Sequence, residues 1–224
     1  MTAFFVTSTG TDIGKTYVGC GLLSHWRTKG RKVDAFKPLL SGFDPGQLPQ
    51  SDAGRLLTAL GRPVDEAGLD QVSPWRYTAA ISADAAAAKE GKQVEYQAVL
   101  KASRAFLERA HDVALIEGAG GIMVPLDDAH TVLDWMAELR LPLILVAGSY
   151  LGTISHTLTA LAVLARRGLT VAAVVVSETA GSAVRLDETV ESIAALADAP
   201  VIALPRLPAG KVDHPAFAQV AATL

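Results

Sequence analysis

The chain has 224 residues, 50% of them apolar, with a formal net charge of -3 and one cysteine. This length can bury the core of one α/β domain, and apolar runs such as 141–147 are far shorter than the ~20 residues a membrane-spanning helix needs. No run of lysine or arginine builds a basic face for nucleic acid, and Cys20, having no second cysteine to pair with, reads as a small packing residue.

In chain order, the apolar segment 3–7 predicts a first strand, followed by a glycine-containing turn and a helix over 14–28. A second strand is expected at 32–37, and the irregular proline- and glycine-rich stretch 38–50 after it is long enough to suggest a functional loop. A helix over 51–60 follows, with Ser51 as its N-cap, and the alanine-rich stretch 79–88 is compatible with helix. Helices at 94–110, 131–139, 153–167 and 185–197 then alternate with strands at 112–117, 142–147, 170–177 and 200–204. Thr131 is the expected N-cap of the second of these helices, and Gly168 the stop signal of the third. The strands are mostly continuous apolar runs, as suits a parallel sheet buried on both faces. The expected fold is α/β, a single domain over 1–224 with a mostly parallel sheet flanked by helices on both faces. The beginning of the chain carries no basic stretch leading into an apolar segment and cleavage site, so the expected location is cytoplasmic.

In such a sheet, ligands bind beyond the carboxyl ends of the strands. Three strand ends carry chemistry here. After the first strand comes Gly14-Lys15-Thr16, opening a helix. Backbone N–H groups in such a turn form a concave anion site, the lysine reaches terminal phosphates and the threonine hydroxyl ligates magnesium. The ordinary loop of this kind has glycine five residues before Gly14, where this chain has Thr9, so its turn must differ. The second is Glu117-Gly118-Ala119-Gly120-Gly121, where a strand-end carboxylate could hold magnesium or simply be solvated in a turn. The third is Lys37: such a lysine can be just the solvated end of an edge strand, but its strand is expected beside the phosphate-loop strand, where the ammonium could neutralise a transferring phosphoryl group. Ser41 and Asp52 have turn and capping roles as their competing readings. The five histidines, 25, 111, 130, 156 and 214, show no metal-ligand spacing.

Taken in order, these motifs resemble the dethiobiotin synthetase family of phosphate-loop enzymes. The resemblance is carried by Val6-Thr7, Gly10-Thr11-Asp12-Ile13-Gly14-Lys15-Thr16, Lys37-Pro38, Ser41-Gly42, Ser51-Asp52, Glu117 to Gly121, and Leu151-Gly152-Thr153-Ile154-Ser155-His156. The family uses an extended phosphate loop, which accounts for the spacing, and its first glycine corresponds to Ser8 here; serine fits where φ is not left-handed. The resemblance implies ATP-dependent closure of a cyclic urea from 7,8-diaminononanoate and CO2 or bicarbonate, through a carbamate and a carbamic-phosphoric anhydride. It further implies Mg2+ on Thr16, Asp52 and Glu117, with Lys15 and Lys37 acting on phosphates and carbamate. Asp12, Ile13, Gly14, Lys15, Thr16, Tyr17, Asp52, Glu117, Gly118, Ala119 and Gly120 would bind the nucleotide phosphates and metal, and Ser177, Glu178, Pro205, Arg206 and Leu207 would flank the base. Thr11 and Ser41 would contact the substrate, with Gly152 and Thr153 receiving its carboxylate across a homodimer interface. Two departures stand out: Ser177 replaces the family's base-reading asparagine, and Ser82-Ala83-Asp84 replaces a Ser-Pro-His stretch.

Two other functions share the loop and its fold. An amidating synthetase of the cobyrinate type carries a glutamine-hydrolysing domain with a nucleophilic cysteine, a role for which Cys20 is badly placed. An ATP-driven partition switch carries an extra lysine early in the loop, and residues 8–13 contain none.

Overall fold

Apolar strand segments and amphipathic helices alternate along the chain, and the computed structural model describes residues 2–109, 111–208 and 211–224. The elements are β1 (Thr2–Ser8), α1 (Lys15–Thr28), β2 (Val33–Phe36), β3 (Leu39–Leu40), a 3-10 turn (Pro45–Gln50), α2 (Asp52–Leu60), α3 (Glu66–Val72), β4 (Trp75–Arg76), α4 (Ala83–Lys89), α5 (Tyr96–Leu107) and β5 (Val113–Glu117). They continue with α6 (Val132–Leu139), β6 (Leu143–Gly148), α7 (Thr153–Arg166), β7 (Val171–Ser177), α8 (Leu186–Ala194), β8 (Val201–Leu204) and α9 (Pro215–Ala221). The six long strands expected from sequence are present to within one residue at each end. They form one parallel sheet in the order β2-β5-β1-β6-β7-β8. The short β3 and β4 pair separately.

Side chains of a strand point alternately to the two faces. Phe5, Ile116, Leu145 and Val176 therefore pack into one core with α5, α6 and α7. Phe4, Val6, Leu115, Ile144 and Val175 pack into the other, with α1, α2 and α9. Both faces are covered, which is why the strands read as continuous apolar runs rather than alternating ones.

The expected caps form. Ser51 Oγ accepts from Gly54 N–H, and the Asp134 carboxylate accepts from both the N–H and the hydroxyl of Thr131. Gly168, at φ 65°, closes α7 with its N–H on the Ala165 carbonyl, and Leu169 N–H follows on Leu164. The alanine-rich helix starts later than its composition suggests, because Ser82 precedes its first turn. The helix expected over 94–110 spans only Tyr96–Leu107, and Ala110 lies outside the described residues. Helices α3 and α9 had no clear periodic signal, being seven residues each and held by tertiary packing.

One expectation about neighbours is corrected. Strand β2 does not lie beside β1, because β5 inserts between them and leaves β2 at the edge of the sheet. The inserted strand, Val113–Glu117, is buried along its whole length, which favours a position with strands on both sides. Sequence order cannot reveal such an insertion.

Helix α1 approaches its neighbours through glycine. A Cβ on Gly21 would fall 2.1 Å from Cζ of Phe217 in α9, so only hydrogen lets the ring seat there. Glycine lowers helix propensity by about 1 kcal/mol relative to alanine, and the close packing offsets it. Gly21→Ala is expected to lower stability by about 1–3 kcal/mol despite its better propensity, because overpacking outweighs it. Urea unfolding measures this, and an unchanged or raised midpoint would refute the packing argument.

Candidate functional site

The strand register assembles the site. Phe36 pairs with Ile116 and Val6 with Glu117, so β2, β5 and β1 end level with one another and deliver Lys37, Glu117 and the loop after Ser8 to one edge. Extending the loop by one residue is accommodated by two left-handed positions, Asp12 at φ 57° and Gly14 at φ 105°. Aspartate tolerates this conformation better than most side chains, and glycine takes it without penalty. Ser8 is the last residue of β1 and is not among the positive-φ residues, so serine there carries no backbone strain. The second glycine loop packs on the first backbone to backbone. A Cβ on Gly121 would lie 3.2 Å from Gly10 N and Cα.

Lys15, the first residue of α1, is buried, with Nζ donating to Ser8 Oγ at 3.0 Å and to the Gly10 carbonyl at 3.2 Å. Burial, and then the positive charge of Lys37, bring its pKa down to about 8, with Glu117, Asp52 and Asp12 opposing the shift.

Lys37 follows the edge strand yet is buried, because the start of α2 folds over it. Its Nζ donates to Asp52 Oδ2 at 2.5 Å and Glu117 Oε1 at 2.7 Å, with Thr16 Oγ1 at 3.4 Å. Burial works against its charge, but the carboxylates of Glu117 and Asp52 and their hydrogen bonds more than reverse that and raise its pKa. Asp52 shows the converse: burial would raise its pKa, and Lys37 together with the Thr16 hydrogen bond lowers it. Thr16 Oγ1 in turn donates to Glu117 Oε1 at 2.6 Å, and Glu117 Oε2 has no partner among the described residues. The donor set Thr16, Asp52 and Glu117 is thus all hard oxygen, already gathered around one cation and incompletely satisfied. That chemistry fits a divalent ion such as Mg2+.

Eleven residues singled out in the sequence, Thr11, Asp12, Gly14, Lys15, Thr16, Tyr17, Lys37, Ser41, Asp52, Ala119 and Gly120, line one cavity of about 260 Å³. A cavity of about 960 Å³ shares Asp12, Gly14 and Tyr17 with it and is bordered by Ile13, Ser177, Glu178, Pro205, Arg206 and Leu207. Glu178 Oε2 accepts from Arg206 N–H at 2.8 Å, tying the two base-flanking segments together. Gly118 lines neither cavity, and a Cβ there would meet Phe5 Cε1 at 2.9 Å, so its glycine serves strand packing. Gly152 and Thr153 also lie outside both cavities, at the start of α7, where Thr153 Oγ1 donates to the Gly148 carbonyl. Arg55, which lines both cavities, was not singled out in the sequence. Its spacing of three from Asp52, which puts it on the same face of α2, was the available signal.

Residues 2–211 match the family model described as AAA domain. The chain is 50% identical over 209 residues to the ATP-dependent dethiobiotin synthetase BioD of Phenylobacterium zucineum, covering 92% of this chain and 89% of that one. It is also 50% identical over 208 residues to the enzyme of the same name from Caulobacter vibrioides, covering 92% and 93%. Among solved structures, the MinC:MinD cell division complex of Aquifex aeolicus aligns at TM-score 0.55 and 13% identity, over 93% of this chain and 82% of that one, a likeness of fold alone.

The lowered pKa of Lys15 has a measurable consequence. Near pH 8 and above, part of the free protein carries Lys15 uncharged, whereas a polyphosphate at the loop favours the ammonium form. Binding Mg-ATP is therefore expected to take up a proton fraction at pH 8.5 and close to none at Lys15 at pH 6.5. Calorimetry in two buffers of different ionisation enthalpy reads this, and equal proton uptake at both pH values would contradict it.

Proposed function

Because this chain belongs to the dethiobiotin synthetase family, we propose that it is an ATP-dependent ligase that closes the cyclic urea of dethiobiotin from 7,8-diaminononanoate and CO2. One amine adds to CO2 and loses a proton, giving a carbamate. A carbamate oxygen then attacks the γ-phosphorus of ATP, breaking its bond to the bridging oxygen and releasing ADP. The second amine attacks the carbonyl carbon of the mixed anhydride, loses a proton and expels phosphate.

The observation that carries this reading is the buried cluster of Lys37, Thr16, Asp52 and Glu117 beside the phosphate loop, three of which, Lys37, Thr16 and Asp52, line a cavity with Glu117 behind them. Such a site acts mainly by positioning and by neutralising charge as the phosphoryl group moves. The N–H groups of residues 12–17 cradle the phosphates, Lys15 neutralises them, and the ammonium of Lys37 faces the carbamate and transferring phosphoryl group. Thr16, Asp52 and Glu117 would hold Mg2+, which supplies positive charge to the triphosphate when bound. The loop 117–120 closes over the phosphates, and Ser177, Glu178 and Pro205 to Leu207 flank the base. Thr11 and Ser41 contact the organic substrate, and Gly152 and Thr153 of a second subunit receive its carboxylate at a helix N-terminus, so the working form is a homodimer. The chain acts in the cytoplasm as one domain over 1–224; among the described residues no helix is long and apolar enough to cross a membrane. The amidating and partition readings are set aside. The relatives at 50% identity carry one name, and the likeness to the MinC:MinD complex is confined to fold.

Phosphate release from Mg-ATP, measured with and without 7,8-diaminononanoate plus bicarbonate and with the product identified by mass, tests the assignment. Release that requires both additions and yields the cyclic urea is expected; substrate-independent hydrolysis would count against it. Lys37→Ala is expected to keep nucleotide binding but lose turnover by about a hundredfold or more. The same variant leaves two carboxylates facing each other without their cation, so it should also unfold about 3 kcal/mol more easily. Full activity in that variant would remove Lys37 from the mechanism.

A further inference from the structure

Ser8 stands where the family's resemblance places glycine, so its side chain is a feature of this chain rather than of the loop motif. It is fully buried at the end of β1, and its backbone is tied on both sides. Its carbonyl accepts from Ile122 N–H at 3.1 Å, and the next residue, Thr9, donates to Val146 at 3.0 Å. The Ser8 carbonyl and the next N–H are therefore satisfied without the hydroxyl. Oγ lies 2.5 Å from the Gly10 carbonyl and 3.1 Å from the Gly120 carbonyl, and it is an acceptor for Lys15 Nζ at 3.0 Å. Gly10 N–H lies a longer 3.4 Å away. A hydroxyl has one proton to donate and two lone pairs to accept. Donation goes to a loop carbonyl, and the lone pairs remain for the ammonium.

We propose that Ser8 is a positioning residue for Lys15, its hydroxyl holding the ammonium at the floor of the phosphate loop. The inference rests on the nucleotide reading of this site. An ammonium carries three N–H donors. Ser8 Oγ and the Gly10 carbonyl take two of them and leave the third for a phosphate oxygen. Two fixed acceptors restrict a long flexible side chain before the ligand arrives, so less ordering remains to be done on binding. Without Oγ, Lys15 keeps one protein acceptor in a buried position, and the Gly10 carbonyl loses the hydroxyl donor.

A turn-satisfying serine would act on loop shape regardless of which residue stands at 15, so the two roles separate in a double-mutant cycle. The probe is adenosine 5'-(β,γ-imido)triphosphate with Mg2+, titrated calorimetrically into the full chain and into Ser8→Ala, each with Lys15 or with Lys15→Met. Loss of a hydrogen bond to a charged group predicts binding weaker by about tenfold for Ser8→Ala when Lys15 is present, and by less than about twofold when it is methionine. Ser8→Gly, which restores the residue the resemblance expects, should weaken binding like alanine and serves if Ser8→Ala folds poorly. In steady state, KM for ATP should rise by a similar factor with KM for the diamine unchanged, which decides the matter if Lys15→Met binds too weakly to titrate. Equal loss in both backgrounds, or an equal rise in both KM values, would overturn the proposal. Absence of binding by the unsubstituted chain would overturn the nucleotide reading as well, whereas normal binding by both Ser8→Ala and Ser8→Gly would overturn the positioning role alone.

Discussion

The ammonium of Lys37, enclosed by the carboxylates of Asp52 and Glu117, is the contact on which the geometry of the site depends. A buried cation and two carboxylates cannot be left unpaired without a cost of several kcal/mol, so the three elements that carry them are constrained to meet. Strand β2 must end level with β5, and α2 must begin over both. The irregular segment between β2 and α2, with its 3-10 turn at Pro45–Gln50, is what allows the chain to double back and bring Asp52 into place. Thr16 joins through Glu117, which fixes the start of α1 against the same cluster.

Two buried lysines thus lie within one site in opposite electrostatic states. Lys37 has two carboxylates as hydrogen-bond partners and is held firmly charged, whereas Lys15 has only neutral oxygens and sits near the point where its charge becomes conditional. Environments that push like groups apart in this way are typical of sites that handle transferred charge. A lysine that binds phosphate gains from being only partly compensated, since the ligand then supplies the missing negative charge. A lysine that keeps a fixed position gains from being fully compensated.

The comparison of sequence and structure divides along physical lines. Strand positions were legible because burial on both faces demands unbroken apolar runs, and the caps at Ser51 and Thr131 were legible because capping is chemistry within one turn. The loop at Gly14-Lys15-Thr16 and the carboxylate at Glu117 were readable because each follows a strand directly. The insertion of β5 beside β1 was not, and with it went the true surroundings of Lys37: an edge-strand lysine that is nevertheless buried. Arg55 shares the face of α2 that carries Asp52, but which cavities that face borders is decided by the packing of other segments around it.

By itself the sequence determined the six long strands, most of the longer helices and the residue types that can do phosphate chemistry, since periodicity, capping and glycine requirements act over a few residues. The tertiary structure alone decided which of those residues meet. Glycine at 118 proved to serve packing against Phe5, serine at 8 proved to face a lysine, and Gly152 and Thr153 lay outside both cavities. Strand order and the burial of charge are set by the packing of both sheet faces together, a balance among residues far apart in the chain that no local pattern encodes.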